Sequence, residues 1–147
     1  STPSNSSAAS DVYKRQQLKQ YIEQTQNDLF ADRQLRLMIE NGNRQVVGIV
    51  DLCSFDPLHN RAEVGIMVDK SCRRQGIGRN ALALLEEHCF RYLGIHQLFA
   101  YIAVENLPSR RLFAACGYKE SAVLKEWAHT FGGGYTDVLV VQKLNLS

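Results

Sequence analysis

Nowhere in the chain do apolar residues run on for the ~18 positions that a membrane-spanning helix needs, and no stretch reads as a secretory leader. Charge of one sign is equally scarce: 17 basic residues stand against 15 acidic ones, a net +2. That balance argues against nucleic acid or a membrane surface as partner. The four cysteines, Cys53, Cys72, Cys89 and Cys116, stand singly, and His59, His88, His96 and His129 never fall at metal-ligand spacing. Neither a disulfide framework nor a metal centre is expected, and reduced thiols in the cytoplasm are.

What is present suits one ordinary globular domain: 147 residues, 45% apolar and 22% charged. STPSNSSAAS at the start is small, polar and aperiodic, so residues 1–13 read as a disordered lead or an expression remnant and 14–147 as a single domain. Leu18, Tyr21, Ile22, Thr25 and Leu29 recur at three- and four-residue steps, which predicts a helix over about 14–30. The period then switches to two. Leu35, Leu37 and Ile39 make a strand that stops at Asn41-Gly42-Asn43. QVVGIVDLC (45–53) makes a second, ended by FDPLHN, and RAEVGIMV (61–68) a third.

A helix follows, with Leu82, Leu85, Cys89 and Tyr92 on one stripe and Glu86, Glu87 and Arg91 off it, closed at Gly94. QLFAYIAV (97–104) is a strand, and Pro108 opens a short helix ending before Gly117. SAVLKEWAHT and YTDVLVVQKL flank FGGG as a terminal hairpin in which Trp127 reads as a core or groove residue. Strand–helix–strand in the middle requires parallel pairing and a right-handed crossover, so the fold class is a mixed α/β sheet with helices packed on it.

The stretch RRQGIGRNAL places Gly76 and Gly78 behind Arg73 and Arg74 and at the mouth of a helix. A helix start offers unpaired amides and partial positive charge, and glycine lets backbone approach an anion without a side chain between. The stretch suits a pyrophosphate. It equally suits a strand-to-helix turn with solvated basic flanks. It lacks the Gly-Lys-Ser/Thr of a P-loop and the third glycine of a dinucleotide-binding turn.

RAEVGIMVDKSCRRQGIGRNAL resembles the acetyl-CoA-binding motif of the GNAT family of N-acetyltransferases, and AYIAVENLPSRRLFAACGYKESAVLKE resembles the next block of that family. RAEVGI and YTDVLVVQKL are most similar to the RimJ/RimL and spermidine N-acetyltransferase branch, and the likeness spans about residues 17 to 144. The resemblance implies a GNAT fold whose first strand and helix are missing here, leaving a sheet edge for another chain to cover. It implies backbone contacts from Ile66, Met67 and Val68 to the pantetheine arm of acetyl-CoA. Arg73, Arg74, Gln75, Gly76, Ile77, Gly78 and Arg79 would receive its pyrophosphate. Asn106 would reach the cofactor at the splay between two parallel strands. Phe113, seven residues on, is counted with the cofactor-contacting positions, where the family usually has a general-acid tyrosine.

The implied reaction is direct attack of a primary amine on the thioester. Such an amine is mostly protonated near neutrality and needs a base. Glu63, on the Gly65 face of its strand, is the candidate, either as base or as a holder of the cationic amine. Asp51, Asp56 and Glu63 together would suit a polyamine such as spermidine; a peptide N-terminus is the other acceptor. With Phe113 lacking a proton, a weak or inert acyl-CoA-binding module is the alternative to an enzyme, and Tyr101, Tyr118 and Tyr135 are lesser acid candidates.

Overall fold

The computed structural model describes residues 17–20, 28–73 and 76–146. Residues 1–13, read above as a disordered lead, lie outside them. Strand β1 (Gln17–Gln20) pairs antiparallel with β2 (Leu35–Glu40), setting Leu18 opposite Ile39. The helix expected over 14–30 is therefore overturned at 17–20, and residues 14–16 and 21–27 lie outside the described residues. So short a segment as QLKQ fits either period, and the edge of β2 supplies backbone partners that a helix end lacks. The same pairing corrects the expectation of a missing first strand. Helix α1 (Leu29–Asp32) is one turn, capped by Asp28, whose side chain accepts from the Phe30 amide. It buries Leu29 and lays Phe30 edge-on against Phe55, ring centroids 5.2 Å apart.

Strands β2, β3 (Val46–Asp56) and β4 (Arg61–Val68) form the antiparallel meander that the alternation requires. Their buried faces align in rows: Leu35, Leu52 and Val64 in one, Leu37, Val50 and Ile66 in the next. β3 runs three residues past the expected stop at Cys53, and its pairing with β4 is irregular between Cys53 and Asp56. After Val50 and Leu52 the next buried residue is Phe55, one position late, because Ser54 takes a left-handed backbone with φ 51°.

From β4 the chain passes through a tight turn at Lys70–Cys72 into helix α2 (Ile77–Glu87) and returns as β5 (Gln97–Ala103), parallel to β4. α2 presses Ala81, Leu82 and Leu85 into the core; burying each leucine fully contributes ~1.5–3 kcal/mol. The expected stripe holds for Leu82, Leu85 and Cys89 but fails at its end: Tyr92 is exposed and Glu86 is buried. The helix widens at His88–Tyr92, where the Leu93 amide reaches back five residues to the His88 carbonyl, and this extra residue turns Tyr92 outward. Glu86 is drawn in by an ion pair with Lys143, whose Nζ also donates to the Cys116 carbonyl at 2.6 Å.

Helix α3 (Leu107–Ala115) leads to the hairpin of β6 (Lys119–His129) and β7 (Tyr135–Leu144). β7 pairs antiparallel with β5, so the seven-stranded sheet runs β1-β2-β3-β4-β5-β7-β6. β6 is the outer strand and exposed along most of its length. Trp127 lies there, 60% exposed rather than in a core or groove.

Candidate active site

β4 and β5 share only three rungs, Arg61 with Gln97, Ala62 with Leu98 and Glu63 with Phe99. Beyond them each strand stays with its outer neighbour, β4 with β3 as far as Val68 and β5 with β7 as far as Ala103. The sheet thus opens in a V whose apex is Glu63 and whose near arm carries Ile66, Met67 and Val68. Their backbone edge toward β5 is not used by the ladder there, so it can hydrogen-bond an extended ligand lying in the V. Ile66 and Val68 turn their side chains toward the core, while Met67 points to the opposite, open face and is 71% exposed.

At the mouth of the V, Asp69 caps the turn by accepting from the Ser71 amide, and Arg73 swings its Nε back to the Val68 carbonyl at 3.4 Å. Arg74 and Gln75 lie outside the described residues. Gly76 holds φ 76°, a left-handed value that suits glycine, and offers the first turn of α2 no side-chain cap. Ile77 is buried, so only its backbone can face a ligand; Arg79 is exposed. Gly78 has a packing reason to be glycine as well. A Cβ there would meet Leu112 of α3 at 3.2 Å and Val68 at 3.6 Å, so it lets α2 settle against both. Beside this turn lies a cleft of about 370 Å³ lined by Val46, Gly48, Met67, Asp69, Lys70 and Arg73. Two cations, a helix start and a left-handed glycine fit a pyrophosphate-bearing group such as acetyl-CoA.

On the far arm Asn106 caps α3, its Oδ1 accepting from the Ser109 amide at 3.3 Å. Phe113 is buried and meets the Tyr118 ring edge-on, centroids 4.9 Å apart. The Tyr118 hydroxyl is also buried, and burial together with the Glu86 charge raises its pKa far above the ordinary phenol range. A phenol so placed belongs to the core network rather than to the cleft. Tyr101 is exposed on the open face beside Phe99, and Tyr135 is on the hairpin.

Glu63 is half-buried, paired with Cys53 across β3 and Phe99 across β5. The Ser54 hydroxyl donates to its Oε1 at 3.4 Å. Burial first, then the Glu63 charge, pushes the Cys53 thiol up to about 11, so it stays protonated beside the carboxylate. A Cβ at Gly65 would find only that of Asp51, at 4.0 Å, so the space next to Glu63 is open. The other two carboxylates are engaged elsewhere. Asp51 holds Arg36 by two bonds of 2.8 and 3.0 Å. Asp56 accepts from the amides of Leu58 and His59, which hold its carboxyl below the usual range, and lies 3.8 Å from Arg61. The contact of Ser54 with Glu63 is the one that the alternation hid; the three-step gap from Leu52 to Phe55 was its signal.

A profile of the acetyltransferase (GNAT) domain family matches residues 3–119, and the chain belongs to that family. It is 27% identical over 103 residues to a spermidine N(1)-acetyltransferase of Vibrio cholerae, covering 70% of this chain and 59% of that protein. It is 34% identical over 102 residues to a putative phosphinothricin acetyltransferase of Bacillus subtilis, covering 65% of this chain and 59% of the relative. The chain thus spans about three fifths of the length of these curated relatives. Among solved structures, that of a Vibrio cholerae spermidine N-acetyltransferase in complex with CoA and spermine superposes with a TM-score of 0.73. It is 25% identical and covers 80% of this chain and 69% of that one. Among the described residues, no helix is long and apolar enough to cross a membrane.

Proposed function

We propose that the chain binds acetyl-CoA in the V between β4 and β5 and transfers the acetyl group to a primary amine, a polyamine such as spermidine. The observation that carries this reading is the three-rung apex at Glu63, which sets a carboxylate beside an unladdered strand edge. Relatives named as spermidine acetyltransferases support the choice of amine. Bound acetyl-CoA would supply a thioester acyl group; attack by the neutral amine nitrogen forms the amide, the C–S bond breaks to release a thiolate, and the proton the nitrogen loses ends on that sulfur. The backbone of Ile66, Met67 and Val68 orients the arm, and the turn from Arg73 to Arg79 with Asn106 across the V fixes its ends. Glu63 draws the ammonium to the apex and accepts its proton, a task worth ~10²-fold or more in rate. Cytoplasmic residence and assembly with copies of the same chain are part of the proposal, the second supported by the open edge of β6.

Calorimetric titration with acetyl-CoA, with ATP and dephospho-CoA as controls, tests the first half; saturable binding of acetyl-CoA but not ATP is expected. Thiol release with spermidine tests the second. Glu63→Gln is expected to lower turnover at least tenfold while leaving acetyl-CoA affinity unchanged. Binding without turnover by any amine would make the chain an acyl-CoA-binding module instead.

A further inference from the structure

We propose that Ser54, held in a left-handed backbone at the β3 bulge, is a positioning residue that fixes the Glu63 carboxylate at the apex of the V. The inference rests on the reading of Glu63 given above. Two independent features meet at this serine. The first is its conformation: φ 51° in the middle of a strand is unfavourable for a residue with a Cβ, and glycine or asparagine would relieve it. The second is its contact, the hydroxyl donating to Glu63 Oε1 at 3.4 Å.

The bulge explains how the two are connected. Cys53 stands opposite Glu63, and in a regular ladder Ser54 would turn to the buried face, two residues on from Leu52. The extra residue instead lets Phe55 take the buried place and leaves Ser54 exposed on the side of Glu63. Glu63 thereby gains a hydroxyl donor beside the protonated Cys53 thiol, and Phe99 is its neighbour across β5. A carboxylate held by a donor loses fewer rotamers when an ammonium arrives, which is what positioning contributes to rate.

Two substitutions separate this role from a merely structural one. Ser54→Gly relieves the backbone and removes the donor; Ser54→Asn also tolerates the left-handed backbone but keeps a donor. With acetyl-CoA and spermidine as probes, Ser54→Gly is expected to lower kcat about tenfold at unchanged KM for acetyl-CoA, and Ser54→Asn to stay within about threefold of the parent. Crystals of the variants read the contact whether or not the chain turns over: one Glu63 rotamer is expected in the parent and in Ser54→Asn, and several in Ser54→Gly. A single unchanged rotamer in Ser54→Gly, or unchanged kcat there while Glu63→Gln is impaired, would overturn the proposal alone. Undiminished turnover of Glu63→Gln would overturn the assignment of Glu63 as well.

Discussion

At Phe113 a ring is buried edge-on against Tyr118 and brings no proton to the cleft. In the proposed reaction the departing sulfur is a weak base, since a thiol with a pKa near ~8.5 gives a stable thiolate, and protonation on departure matters only below that pH. A donor at this position therefore helps only below it. Phe113→Tyr is expected to raise kcat with spermidine about threefold near pH 7, with the gain gone by about pH 9. Thiol release followed across that range measures it; a gain that persists at high pH would mean that the hydroxyl alters packing rather than proton supply. The place of Glu63 on the Gly65 face was legible in the alternation of β4, whereas only the family resemblance pointed to Phe113, seven residues after Asn106. Ser54 was not legible, since a bulge is a break in pattern whose partner lies on another strand. The engagement of Asp51 by Arg36 was hidden for the same reason.

Among the elements, the β3–β4 pair carries the near arm of the V, and Gly48 sets how closely the two strands lie. A Cβ at Gly48 would stand 2.5 Å from the Met67 carbonyl oxygen and 3.2 Å from the Val68 Cα, both backbone atoms that cannot swing aside. Gly48→Ala is expected to cost about 2–3 kcal/mol, read from the urea midpoint, and to weaken acetyl-CoA binding because it displaces Met67 and Val68. Unaltered binding in a destabilised variant would remove those residues from the cofactor's path. The meander and the crossover helix were legible as elements because each keeps its period over several residues, and the terminal hairpin because FGGG marks its turn. β1 was not. Four residues cannot fix a period, and its pairing with β2 is a tertiary fact.

At the scale of the molecule, Glu86 and Lys143 tie α2 to β7, and the Lys143 bond to Cys116 adds the end of α3. Burial holds the Glu86 carboxyl above its ordinary range, and Lys143 pulls it partly back. A carboxyl raised in the folded state stabilises most below the unfolded value near ~4.3 and loses that contribution as pH climbs through its folded value. Lys143→Met removes the compensating cation, so this loss becomes larger. The variant is expected to match the parent most closely near pH 4 and to fall behind by about 2–3 kcal/mol at pH 7. Urea midpoints at several pH values decide it; a gap independent of pH would mean that Lys143 acts through packing alone.

The chain carries one tryptophan, and its indole on β6 is already 60% in water. Its emission in the native protein should therefore resemble that of the denatured chain, so that fluorescence makes a poor thermometer of core melting and circular dichroism a better one. The same placement makes the indole a sensitive lamp for whatever comes to lie against the hairpin: a blue shift on concentration would announce contact at that edge while the core stayed optically silent.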